Sequence, residues 1–324
     1  MSEATDLAAL ASFRQLLPFI QQYLEQQALP AAYPGLASWI RRFLIDKPLG
    51  PTAVLPLASC AAVGGDPRQA IAASAVCELL HLGVRALDDL QDQDAPRGLW
   101  TEIGPARAFN YSASLYVLAH YVLTHANFPA RLRQNIQRAM SEEVMQLAAG
   151  QERDLTHQTE TIEDYWQTIA AKNGRLFSLV CWLGALCGTG QQRYIDACRQ
   201  YGFHLGIILQ LFDDFEGTWA ANDLEMGRIT LPVLYGLNID HPRRDELQAL
   251  KQAGQIHTNA DLVRTILDQI ETRSFIIWVA LQERDRALAK LQDCPGAAGV
   301  ATLTSYVDVI FADAEQLLTT KPSA

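Results

Sequence analysis

Residues 83–98 read GVRALDDLQDQDAPRG, and residues 201–219 read YGFHLGIILQLFDDFEGTW. In each, a long apolar run with helical spacing meets paired aspartates. Four aspartates fall among the seven residues from Asp88 to Asp94. Asp88 and Asp92 are one turn apart and share a helical face. Like charges at that spacing repel, and a helix C-terminus disfavours them further. A divalent cation reverses the argument. Mg2+ binds through one or two carboxylates and fills its remaining positions with water and phosphate oxygens. A solvated helix end is the plain alternative, and it accounts for one such stretch better than for two. Asp213 and Asp214, with Gln210 one turn before, repeat the design. Side by side, two such helices would present facing carboxylates across a cavity mouth. Asp88, Asp89, Asp92, Asp213 and Asp214 are therefore the candidate metal ligands.

The rest of the chain extends the helical reading. Of 324 residues, 49% are apolar and 19% charged, enough for a large core. Helical periodicity recurs from end to end and alternating β-branched runs are scarce. The spacing predicts helices over 5–27, 35–46, 51–63, 67–93, 104–125, 129–150, 161–187, 191–218, 229–237, 243–254, 259–290 and 297–319. Gly64, Gly65, Asp66 and Pro67 stop one helix and start the next. No linker divides the chain, so a single all-α domain over 1–324 is expected. Runs such as LFSLVCWLGALCG, apolar on most faces, belong in the middle of a bundle.

Composition also excludes. A net charge of −10 argues against nucleic acid as the main partner. The acidic start MSEATDLAAL lacks the basic region of a signal peptide, and no uninterrupted apolar run suggests stable membrane insertion. Six cysteines without a CxxC pair fit free thiols in a reducing, cytoplasmic setting. A site this negative, holding a negative ligand, needs fixed cations as well as metal. Arg97, Lys172 and Arg228 are the candidates, Arg as a bidentate partner and Lys as a point charge.

With these residues in hand, the chain resembles the trans-type polyprenyl synthetases, the isoprenoid synthase class I fold. That family's E-x-x-H and DDxxD motifs are matched by Glu78, His81, Asp88, Asp89 and Asp92, and its following arginines and glycine by Arg97 and Gly98. Gly150, Gln151, Asp154 and Leu155 match a second motif, and Lys172 and Asn173 a Lys-Thr pair. Leu209, Gln210, Asp213, Asp214 and Gly217 match the second acidic motif, and Gly227, Arg228, Thr230, Leu231 and Pro232 the last. The resemblance implies a helical bundle around a central apolar cavity and Mg2+-dependent ionisation of an allylic prenyl diphosphate. It further implies three ions bound with the diphosphate, isopentenyl diphosphate as the usual acceptor, and a homodimer. Catalytic roles then fall to Asp88, Asp89, Lys172, Gln210 and Arg228. Substrate contacts fall to Lys47, His81, Arg97, Lys172, Asn173, Gln210 and Arg228.

The departures bear on the acceptor. Where the family has G-K-R-x-R-P, this chain has Asp46, Lys47, Pro48, Leu49, Gly50 and Pro51, so both arginines are lost. The arginine pair after the first acidic motif is reduced to Pro96 and Arg97. The third aspartate of the second motif is Gly217, with Glu216 beside it as a possible replacement. The allylic half thus reads as intact and the isopentenyl half as altered. A prenyltransferase, using isopentenyl diphosphate or another acceptor, is the expected function. A terpene synthase is the second reading, on the spacing of Asp214, Thr218 and Asn222, and a non-catalytic subunit the third.

Cys77, Leu80, Gly83 and Val84, one to three turns before the first aspartates, are expected to line the pocket below the metals. Gly83 has two readings: room for a longer prenyl chain, or close helix packing. Arg85 stands where the resemblance leads one to expect an apolar residue, within reach of Asp88 or Asp89.

Overall fold

The computed structural model describes residues 13–92, 99–156 and 160–319, except the side chains of 51, 99 and 313–319. Among them there are helices and connecting turns and no β-strand. Leu17–Gln27 forms α1. Pro34–Ile40 forms α2, which runs on into a π-helical turn, Arg41–Ile45. Val54–Ala62 is α3, Ile71–Gln91 α4, Pro105–His125 α5 and Ala130–Leu155 α6. Ile162–Ile169 is α7, joined by a second π-helical turn, Ala170–Gly174, to α8 at Arg175–Gly188. Gln192–Trp219 is α9, Leu231–Asn238 α10, Arg244–Gln252 α11, Ala260–Gln269 α12, Thr272–Leu291 α13 and Ala297–Thr319 α14.

The boundaries follow local chemistry. Asp66 accepts a hydrogen bond from the Arg68 amide at 3.0 Å, and Pro67 opens the turn that leads into α4. Thr161 and Asp164 form a reciprocal capping box at the start of α7. The expected helix over 259–290 is broken in two. Glu271 adopts a left-handed backbone with φ of 60° between α12 and α13. No glycine or proline marks that break, and the apolar spacing continues through it.

Helices α8 and α9 pack against each other at the centre, with α3 on α8, α13 on α9 and α4 on α5. Side chains such as Ile20, Leu24, Leu57, Leu79, Leu115 and Tyr201 are fully buried in the main core. Each such aliphatic side chain stabilises the fold by about 1.5–3 kcal/mol. A second, smaller core gathers Leu224, Val233, Leu247, Val263 and Leu267, and Trp219 and Ile229 pack against both. The span Pro67–Gln91 is long and apolar enough to cross a membrane, but 67% of its apolar window is buried in the bundle, as for a core helix. None of the six cysteines is in a disulfide.

Candidate active site

Two helices carry the acids. Asp88 and Asp89 lie in the last turn of α4, and Asp92 closes it, its amide donating to the Asp88 carbonyl at 2.8 Å. Asp213 and Asp214 lie inside α9, which continues to Trp219. The charges on the two helices sense one another: Asp88 is among the groups that raise the Asp213 pKa.

Cations sit beside the acids. Lys172 Nζ is 2.6 Å from Asp154 Oδ2 and 3.5 Å from Asp88 Oδ1. Burial alone would weaken its proton affinity, but Asp88 and Asp154 outweigh burial and hold it above the ordinary value. Arg228 approaches Asp92 at 3.7 Å and Asp223 at 3.1 Å. Gln151 donates to Asp92 at 3.4 Å. Desolvation, then Asp88, pushes the Asp92 carboxyl up to about 6, with Lys172 and Arg228 opposing. Asp213 is exposed to solvent and has other acids near it. Desolvation first, then Asp223, Glu216 and Asp88, raise it to about 6.

Asp214 is different. It is 4% exposed, and its oxygens accept from Tyr165 Oη at 2.6 Å and Gln210 Nε2 at 2.7 Å. Gln210 Oε1 in turn accepts from Asn173 Nδ2 at 2.6 Å. Burial raises Asp214 to about 7 despite those donors. Lys172 and Asn173 both project from the π-helical turn Ala170–Gly174. Single π turns inside helices recur at functional sites. Two glycines let this turn approach its neighbours. A Cβ at position 206 would lie 2.1 Å from the Asn173 carbonyl oxygen, and one at 150 would lie 3.1 Å from Lys172 Cγ.

On α4, Glu78 is buried and accepts from Thr52 Oγ1 at 2.7 Å, and Thr52 lies 3.4 Å from His81 Nδ1. Desolvation raises Glu78 to about 7. Desolvation, then the charge of exposed Arg85, lowers His81 to about 4, so the ring is neutral. The Asp89 carbonyl anchors Trp100 Nε1 at 2.9 Å. Lys47 is exposed beyond the first π turn, its Nζ 5.2 Å from the Phe43 ring centre, and its carbonyl is held by Gln21. Arg97 and Gly98 lie outside the described residues.

Cys77 and Leu80 are buried in the main core and Val84 is half-buried against it. Gly83 faces α5: a Cβ there would meet Leu115 Cβ at 3.1 Å, and its carbonyl accepts from Ser112 at 2.6 Å. Its surroundings are those of a helix contact. The cyclase-like spacing is not carried onto one open face, because Asp214 and Thr218 are buried while Asn222 is exposed. Asp223, Tyr165 and Arg264 enter the site's surroundings without any motif having marked them. Two surface cavities are lined by none of these acids: about 690 Å3 lined by Arg153, Arg175 and Arg199, and about 800 Å3 lined by Leu29, Tyr33, Val117 and Tyr121.

The donor set is oxygen only, which suits a hard divalent cation. Among the described residues no three acidic, His or Cys side chains gather closely enough to hold an ion alone. A cation that takes few protein ligands and completes its shell with phosphate oxygens fits that arrangement.

Comparison with known proteins decides the family. The polyprenyl synthetase family pattern matches residues 49–270. The chain belongs to that family. Geranylgeranyl diphosphate synthase of Mycobacterium tuberculosis is 31% identical over 273 residues, covering 79% of this chain and 78% of that one. Tryptophan prenyltransferase ComQ of Bacillus subtilis is 28% identical over 160 residues, 49% of this chain and 52% of that one. Among solved structures, geranylgeranyl pyrophosphate synthetase from Pyrococcus horikoshii superposes with a TM-score of 0.83 at 23% identity, over 93% of this chain and 97% of that one. The polyprenyl synthetase is an all-α enzyme of the isoprenoid synthase class I fold, and a prenyltransferase.

Proposed function

We propose that this polyprenyl synthetase ionises an allylic prenyl diphosphate between α4 and α9 and transfers the prenyl group to isopentenyl diphosphate. The observation that carries the reading is two acid arms within electrostatic reach of each other, with Lys172 paired to Asp88 and Arg228 to Asp92. Asp88, Asp92 and Asp213 would hold Mg2+, with Asp89 beside them. Bound there, the cation supplies positive charge to the departing diphosphate. Lys172 and Arg228 stay protonated and add fixed charge where the leaving oxygen becomes negative. The C–O bond breaks with its electron pair on the diphosphate, the acceptor's double bond attacks the allylic carbon, and the acceptor carbon beside the resulting cation gives up a proton to the released diphosphate, restoring a double bond. Asn173, Gln210 and Tyr165 hold Asp214 in place, so we assign Asp214 to buttressing the arm. Neutral His81, beside Thr52 and Glu78, offers a hydrogen bond without adding charge.

A second acceptor class is favoured by one observation. Pro48 and Gly50 stand where the resemblance calls for arginines, leaving Lys47 exposed there. We also infer a homodimer through α5, where Phe109, Val117 and Tyr121 are exposed at four- and eight-residue spacing, and a cytoplasmic setting.

The test is incubation with Mg2+ and labelled geranyl, farnesyl or geranylgeranyl diphosphate, with and without isopentenyl diphosphate. A lengthened diphosphate formed only with both supports the proposal. Hydrocarbon or alcohol release without the second substrate makes it a terpene synthase. Consumption of neither makes the acceptor another molecule or the chain a partner-dependent subunit. Light scattering measures the dimer.

A further inference from the structure

One position of the second acidic motif is empty of side chain. Gly217 lies one turn after Asp213 on α9, on the same face. A Cβ built there would lie 1.9 Å from Asp223 Oδ2 and 2.6 Å from Asp223 Cγ. Those distances are shorter than a Cβ carbon tolerates to a non-bonded atom, so the Asp223 carboxylate occupies the volume that a side chain at 217 would fill.

The backbone brings Asp223 there. After Trp219 the chain folds back on α9: the amides of Ala220 and Ala221 donate to the Glu216 carbonyl, and the Asp223 amide to the Gly217 carbonyl at 3.2 Å. Leu224, fully buried, anchors the return in the second core. Arg264 on α12 clamps it from outside. Its Nε donates to the Thr218 carbonyl at 2.8 Å, and its Nη2 to the Ala221 carbonyl at 3.3 Å and to Glu225 Oε1 and Oε2 at 2.7 and 2.8 Å. Asp223 then meets Arg228 at 3.1 Å, the cation that also reaches Asp92. Glu216, the replacement suggested by spacing, is exposed.

We propose that Asp223 supplies, from the loop, the carboxylate that the second acidic motif lacks at Gly217, and so completes the cation site on the Asp213 side. The proposal rests on reading the facing acids as a cation–diphosphate site. Arg264 is the positioning residue that holds the loop in register. Position 217 and position 223 are thereby coupled, since a side chain at 217 displaces the carboxylate of Asp223.

The experiment uses the full chain with inorganic pyrophosphate and reads Mn2+ binding by electron paramagnetic resonance, with circular dichroism melts as the folding control. Asp223→Asn, which keeps the side-chain size, is expected to weaken Mn2+ binding about tenfold or more, the range seen when groups supporting a metal site are removed. Asp213→Asn is expected to weaken it at least as much. The double variant Gly217→Asp with Asp223→Gly, which returns the carboxylate to α9, is expected to recover most of the loss. Wild-type affinity in Asp223→Asn alongside a loss in Asp213→Asn overturns the proposal and leaves the site reading standing. Wild-type affinity in Asp213→Asn as well overturns both. A double variant no better than Asp223→Asn shows that Asp223 acts only by holding Arg228, and also overturns it.

Discussion

The two acid arms are built differently. The α4 arm stands at a helix end, where the dipole opposes its charge, and it is steadied by cations from elsewhere: Lys172 on Asp88, Arg228 on Asp92. The α9 arm lies within a helix and is steadied from behind by neutral donors, Tyr165 and Gln210 on Asp214. Fixed dipoles on a buried helix cost little reorganisation when charge develops, whereas the α4 carboxylates are engaged by the same cations that an incoming diphosphate would attract. The α9 arm therefore reads as the preformed half and the α4 arm as the adjusting half.

The largest expected effect tests that contrast directly. Asp213→Asn and Asp88→Asn should each lower kcat/KM by about 10²–10³, the scale for removing a preorganised electrostatic group. Asp92→Asn should cost less, because Arg228 and Gln151 remain to meet the ligand. Steady-state kinetics at saturating Mg2+ make the comparison, and an Asp92→Asn loss exceeding that of Asp213→Asn would reverse the assignment of the halves.

Next comes Gly206→Ala. Its Cβ would sit 2.1 Å from a backbone oxygen of the π turn that carries Lys172 and Asn173. The turn must move, so both stability and activity should fall. Overpacking of this kind costs about 1–3 kcal/mol, and urea denaturation together with kcat measures the two losses.

The helices and the placing of the acids on them were readable from residue order alone. Asp88, Asp89, Asp92, Asp213 and Asp214 stand out as candidates because acids rarely follow long apolar runs, and the helices carrying them have strong 3.6-residue periodicity; the buried setting that separates Asp214 from Asp213 was not readable. The break at Glu271 is hidden because a left-handed residue that is neither glycine nor asparagine leaves no compositional mark. The π turns are hidden for a related reason: one inserted residue barely disturbs the apolar spacing of 161–187. Tyr165 lies 49 residues from Asp214 in the chain, and Asp223 reaches Gly217 only through a folded loop. Such contacts are properties of packing, and single-sequence spacing does not encode them.

Tyr165→Phe weakens the back of the α9 arm without touching its front. It leaves one buried oxygen of Asp214 without its donor, a loss of about 1–3 kcal/mol in stability. Activity should fall far less than in Asp213→Asn. Equal losses in kcat/KM for Tyr165→Phe and Asp213→Asn would mean that Asp214, not Asp213, faces the ligand.

Glu78 gives the α4 side a pH signature. In the folded chain it keeps its proton up to about 7, against an ordinary value of 4.5. Between those values the folded state holds a proton that the unfolded chain has released. Its contribution to stability is therefore complete below about 4.5 and is lost as pH rises through about 7. The size is on the order of 3 kcal/mol. Glu78→Gln should flatten the decline in stability between pH 5 and 7.5, measured by urea midpoints across that range, and an unchanged slope would remove Glu78 as its source.

The smallest effect is expected at Gly83, the α4 counterpart of Gly206. Here a Cβ meets a side-chain carbon, Leu115 Cβ, at 3.1 Å, and the nearest backbone oxygen at 3.5 Å. A side chain can yield by a few tenths of an ångström where a backbone cannot. Replacing glycine by alanine inside a helix also gains roughly 0.8–1 kcal/mol in propensity, which offsets most of the crowding. Gly83→Ala should therefore leave stability within about 1 kcal/mol of the parent. Because the position is pressed against α5, prenyl product length should not change. Product chromatography checks this, and a shortened chain would place Gly83 in the prenyl pocket after all, making the α4 arm's glycine a ruler where that of α9 is a hinge seat for Lys172.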